Sequence, residues 1–114
     1  MFHSKHRFAR ISARKVRPLA DLVRGKFVDE ALNILKYQPH RGARMLEKVI
    51  KSAAANAQDP DQNSGATVNM RDLFVSDARI DGGPMFKRIQ PRARGTAFTI
   101  KKRFAHISVT LDEI

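Results

Sequence analysis

Apolar residues recur every three or four positions through the first half of the chain, and every second position near its end. Val16, Leu19, Ala20 and Val23 share one face of a predicted helix from Ala13 to Arg24. Ser12 offers an N-cap oxygen before it, and Gly25 stands where a left-handed C-cap belongs. Pro18 lacks an N–H and crowds the carbonyl of Arg14, which predicts a kink or a helix regular only from Arg17 onward. A second helix, Val28 to Tyr37, turns Ala31, Leu32, Ile34 and Leu35 inward, with Asp29 and Glu30 complementing the dipole of its first turn. Gln38-Pro39 ends it. The third, Arg41 to Ala57, has the clearest period: Leu46, Val49, Ile50, Ala53, Ala54, Ala57. Gln58 to Ala66 reads as a loop.

Period-two alternation predicts three strands. A short one runs over Arg7 to Ile11, a second over about Arg71 to Asp81, and a third carries Ile107, Val109 and Leu111 on one face. Gly82 to Arg103, between the last two, holds few core-forming residues. If its arms pair, each about ten residues long, the hairpin reaches ~30 Å at ~3.3 Å per residue. Pro91 and Gly95 shape its tip. The pattern predicts a single domain over 1–114, with a core of about 1–81 and 104–114 and an extended hairpin at about 82–103.

Composition sharpens this picture. An apolar content of 42% over 114 residues is enough for one modest core. Lys and Arg number 22 against 11 Asp and Glu, a net charge of +11. The excess sits at two places. Lys5, Arg7, Arg10, Arg14, Lys15 and Arg17 precede the first acid, Asp21, and no acid falls between Gly82 and Leu111. Such arms repel themselves until a polyanion neutralises them, and nucleic acid is the leading polyanion, with an anionic membrane surface the rival. Cysteine is absent, no apolar run nears the roughly 18 residues of a membrane span, and Met1 to Arg10 contains no apolar signal region. A cytoplasmic protein that neither enters a membrane nor forms a homo-oligomer is expected.

The chemistry available is that of binding. Arginine grips phosphate with a planar fork and stacks on bases. Phe86, Phe98 and Phe104, interleaved with Lys and Arg, offer faces for stacking or, as the more usual role of each alone, pack across the hairpin or against the core. No phosphate-binding glycine loop and no HExxH occur. His3 and His6 find no third ligand nearby, so a flexible or RNA-facing terminus is the better reading. His106 and Ser108 share a strand face without an orienting acid. No enzyme activity, cofactor or metal is expected.

Several runs are more specific. Ile11-Ser12-Ala13-Arg14-Lys15-Val16-Arg17, Ala20-Asp21-Leu22-Val23-Arg24-Gly25-Lys26 and Glu30-Ala31-Leu32-Asn33-Ile34-Leu35 resemble the first two helices of the universal large-subunit ribosomal protein twenty-two family, bacterial type. So do Lys51-Ser52-Ala53, Ala55-Asn56-Ala57 and Leu73-Phe74-Val75-Ser76. Gly83-Pro84, Lys87-Arg88, Pro91-Arg92-Ala93-Arg94-Gly95, Lys102-Arg103 and His106-Ile107 stand in the order of that family's hairpin. The chain departs from the family at Pro18, Phe27, Gly82, Thr96 and Phe104.

The resemblance implies an α+β fold of three helices on a small antiparallel three-stranded sheet with one long β-hairpin. It implies binding to large-subunit ribosomal RNA, support of subunit assembly, and neighbouring ribosomal proteins as partners. The core would sit near the exit of the nascent-chain tunnel. The hairpin tip, Phe86, Lys87, Arg88, Ile89, Gln90, Pro91, Arg92, Ala93, Arg94 and Gly95, would line the wall and meet the nascent polypeptide. Expected RNA contacts are Arg10, Arg14, Lys15, Arg17, Arg24 and Lys26, with Lys87, Arg88, Arg92, Arg94, Lys101, Lys102, Arg103 and His106 on and beside the hairpin. The rival reading is a free-standing nucleic-acid-binding regulator with the first helix in a groove, which needs base-reading side chains and often a symmetric dimer. A nuclease ranks third.

Overall fold

Three helices cover one face of a three-stranded antiparallel sheet, the α+β architecture that the resemblance implies. The computed structural model describes residues 2–59, 69–91, 93–95 and 97–113. In chain order the elements are β1 (Phe2–Ala9), α1 (Ala13–Val23), α2 (Val28–Lys36), α3 (Arg41–Gln58), a 3-10 turn at Met70–Asp72, β2 (Leu73–Pro91), a tip turn at Ala93–Gly95 and β3 (Ala97–Glu113). The sheet order is β1-β3-β2, so β3 is its middle strand. Most of the predicted loop after the third helix, residues 60–66, lies outside the described residues.

The helical faces are the predicted ones. Val16, Leu19, Ala20 and Val23 of α1 are buried, as are Leu46, Val49, Ile50, Ala53, Ala54 and Ala57 of α3. On α2 the buried set is Val28, Ala31 and Leu35, with Leu32 and Ile34 only half-buried. They close on Leu73, Val75, Ala78 and Ile80 of β2 and Ala105, Ile107, Val109 and Leu111 of β3. The small Gly42 lets α1 and α3 approach. A Cβ there would stand 3.1 Å from a methyl of Val16 and 3.3 Å from Leu19 and Ile11.

Four expectations need correction. The helix α1 begins at Ala13 and continues through Pro18 to Val23, so helical structure does not wait for Arg17. Pro18 and Arg14 are both exposed, so the carbonyl deprived of its donor lies on the solvent side, where hydration compensates. Ser12 precedes the helix in extended backbone, but its side chain makes no capping hydrogen bond. The first strand is Phe2–Ala9 and not Arg7–Ile11. Its polar residues concealed it, because its stability comes from pairing with residues near the other end of the chain, Phe2 opposite Leu111 and His6 opposite Ile107. His3 and His6 therefore sit in a β-ladder and not in a flexible terminus, with His3 Nδ1 3.2 Å from Thr110 Oγ1.

Two clips join helices to their surroundings. Gly25 has φ +83, as the C-cap reading requires, and its N–H donates to the Val75 carbonyl at 2.8 Å while the Val75 N–H donates to Lys26 at 2.8 Å. Arg44 on α3 reaches the end of α2, donating to the carbonyls of Leu35 (3.0 Å), Lys36 (2.9 Å) and Gln38 (2.6 Å).

Beyond the core, β2 and β3 continue as a two-stranded ribbon, paired from Met85 with Arg103 to Pro91 with Ala97. At its root Gly83 passes so close to β3 that a Cβ would lie 3.1 Å from the Phe104 carbonyl oxygen and 3.2 Å from His106 Nε2. The register shifts there, between Gly82 and Met85. The ribbon makes the molecule long and thin, 65 × 28 × 15 Å.

Candidate nucleic-acid interface

The groove at the hairpin root brings the two basic arms together. Arg10, Ser12 and Lys15 approach from the entry to α1, Arg41 from the start of α3, and Phe86, Arg88, Lys101, Lys102, Arg103 and Phe104 from the ribbon. The cavity between them measures about 750 Å³. Seven of its lining residues are cationic, and no carboxylate is among its described lining residues. A second opening, lined by Ile11, Lys15, His40, Arg41 and Gly42, shares Lys15 and Arg41 with it and extends the groove along the start of α3.

Helix polarity adds to the charge. A helix start carries unpaired N–H groups and a partial positive charge, which acids normally offset. Neither α1 nor α3 has an acidic residue in its first turn, and neither Ser12 nor His40 caps with its side chain. Arg14, Lys15, Arg41 and Arg44 instead place full positive charges there. Two helix starts and a cationic ribbon thus point one sign of potential at one groove, an arrangement that an anionic strand relieves.

Along the ribbon Lys87, Arg88, Ile89, Gln90, Pro91, Lys101, Lys102 and Arg103 are exposed. Phe86 and Phe104 pack edge to face across it, centroids 5.3 Å apart, and the Arg88 guanidinium lies 5.6 Å from the Phe86 ring. The cross-ribbon packing anticipated for these phenylalanines holds for this pair. The side chain of Phe98 lies outside the described residues, as do Arg92 and the side chain of Ala93. At the tip, Arg94 (φ +64) and Gly95 (φ +71) both adopt left-handed backbone, and the Arg94 side chain is exposed.

Other expected contact residues engage the fold itself. Arg17, an exposed residue, donates from Nε to the Ile80 carbonyl at 3.3 Å. Arg24 donates to Asp21 (2.6 Å) and to the Ala78 carbonyl (2.5 Å), with Asp77 3.9 Å away. His106 Nδ1 accepts from the Phe8 N–H at 3.0 Å. Arg14 and Lys26 are exposed outside the groove's main cavity. Arg41 escaped the sequence reading. Its guanidinium donates to the Arg10 carbonyl, tying the chain that enters α1 to the start of α3. The signal available was a helix beginning after Pro39-His40 with cations and no acid in its first turn.

Residues 4–112 match the family model described as ribosomal protein L22p/L17e. The large ribosomal subunit protein uL22 of Rhodopirellula baltica is 69% identical over 113 residues, covering 99% of this chain and 95% of that protein. Its namesake from Caldicellulosiruptor saccharolyticus is 52% identical over 107 residues, covering 94% and 84%. That of Maridesulfovibrio salexigens is 50% identical over 108 residues, covering 95% and 94%.

Proposed function

Because the chain belongs to the ribosomal protein L22p/L17e family, we propose that it is a structural, non-enzymatic constituent of the large ribosomal subunit, located in the cytoplasm, and that it binds ribosomal RNA through the groove and ribbon just described. The observation that carries this reading is the groove in which seven cations from α1 and its entry, α3, β2 and β3 converge with no carboxylate among the described lining residues. Each phosphate seated there displaces condensed counterions, and each arginine fork adds directed hydrogen bonds.

The residues assigned to RNA are Arg10, Arg14, Lys15, Arg17 and Lys26, with Lys87, Arg88, Arg92, Arg94, Lys101, Lys102 and Arg103 on the ribbon. Arg24 and His106 stay in the set and also hold the chain's own backbone. The chain acts as one domain, residues 1–81 and 104–114 forming the anchoring core and 82–103 the reaching arm. The arm extends between RNA segments during subunit assembly, and its tip from Phe86 to Gly95 lines the exit tunnel beside the nascent polypeptide. Neighbouring ribosomal proteins contact the core.

The decisive experiment expresses the tagged chain in a bacterium and follows it through a sucrose gradient. It is expected in the large-subunit peak at low salt and released from it by a high-salt wash. Recovery solely at the top of the gradient at low salt contradicts the assignment.

A further inference from the structure

The sheet face turned away from the helices carries a ring that the fold goes out of its way to expose. Along β1 the even-numbered residues Phe2, Ser4 and His6 are half-buried on the helix side, and regular alternation would send Phe8 the same way. The register instead shifts between His6 and Ala9. Ala9 is buried opposite Ala105, and Phe8 emerges 52% exposed beside His106 on the open face.

This exchange is made with Phe8 at φ +58, a left-handed conformation that bulky residues rarely adopt. A glycine or asparagine would form the same bulge with less strain. The element therefore tolerates an unfavourable residue, and what that residue supplies is its ring. The ring is held in place. The Phe8 N–H donates to His106 Nδ1 at 3.0 Å, and the two rings meet edge to face with centroids 4.9 Å apart. The Arg7 guanidinium lies 5.4 Å from the ring centroid, and Arg10, which lines the basic groove, follows two residues later. Asp81, the register partner of His106, lies 3.8 Å from Arg79.

An exposed ring fixed on an open sheet face and flanked by arginine is suited to one kind of partner. Every nucleobase has a π-face that stacks on such a ring, and the neighbouring cations take the phosphates on either side of it. A purely apolar protein surface would leave Arg7 without a counter-charge. We propose that Phe8 is a stacking seat for one unpaired base of the RNA bound in the adjacent groove, a reading that rests on the ribosomal function proposed above.

The test measures binding of the full chain to an in-vitro transcript of bacterial large-subunit ribosomal RNA over a range of salt concentrations. Phe8→Leu and Phe8→Gly are expected to weaken binding by roughly 5- to 150-fold, the range of a lost base stack, while Phe8→Tyr stays within about twofold. The slope of log K against log salt is expected to remain that of the parent, since no phosphate contact is removed. Phe8→Gly is expected to melt no lower than the parent, because glycine accepts φ +58 without strain. Parent-like affinity of Phe8→Leu and Phe8→Gly overturns the proposal. So does a weakened variant whose salt slope has flattened, which would make the ring a support for Arg7. A parent chain that binds the transcript without salt dependence defeats the ribosomal reading itself, and is distinguishable because it appears before any substitution is made.

Discussion

Arg44 does at one position what sequence alone did not announce. A helix C-terminus leaves its last carbonyls without donors. Here one guanidinium meets those of Leu35, Lys36 and Gln38, and also pairs with Glu47. Arg44→Met, which keeps the stem and removes the fork, is expected to cost about 1 kcal/mol, below the ~1.5–3 kcal/mol of hydrogen bonds to charged groups because the side chain is half exposed. In a thermal melt that appears as a fall of about 4 °C for a chain of this size. Leu46 is a different case. Its side chain is fully buried, so Leu46→Ala is expected to cost about 2–5 kcal/mol, measured by denaturant titration. Equal, small losses at both positions would mean that the core relaxes around the missing leucine.

At the scale of elements, the ribbon contributes little to the core. The described side chains from Phe86 to Lys102 are exposed or half-buried, and the buried residues of β2 and β3 lie outside that span. Excising residues 86–102 and joining Met85 to Arg103 through Asn-Gly keeps a native cross-strand pair next to a two-residue turn. The shortened chain is expected to keep a cooperative melt within a few degrees of the parent while losing most of its affinity for RNA. Loss of the cooperative transition would show that the ribbon is part of the folding unit. The helices and the hairpin were legible beforehand because their signals are local: Leu46, Val49, Ile50 and Ala53 repeat at helical spacing, and Gly83-Pro84 through Lys102-Arg103 is basic with few apolar residues. What could not be read depends on distant partners. The strand at residues 2–6 exists because of residues 107–111, and the reversal at Phe8 because of Ala105 and His106. Of the interface, the cations were legible as a set. Their convergence on Arg41 was not, because it arises from the packing of α1 against α3 at Gly42.

For the whole molecule, charge and shape act together. A net charge of +11 on a body 65 Å long lets the chain neutralise phosphates over a distance that a sphere of equal mass would not span. If the seven groove cations each meet a phosphate, log K for RNA is expected to fall with log salt at a slope of about −5 to −6. Arg41→Gln is expected to reduce that slope by about 0.7–0.9, one phosphate contact. Filter binding at several salt concentrations checks both, and a slope shallower than about −2 would remove the groove from the account. The position of β3 between β1 and β2 has a temporal side as well. Phe2 of the strand made first has its place only beside Leu111, so during synthesis β1 waits almost the full length of the chain for its partner. The helices can collapse earlier, but nascent chains halted before Ala105 are expected to show helical circular dichroism without a cooperative melt. The sheet is thus closed last, by the same strand that carries one arm of the ribbon.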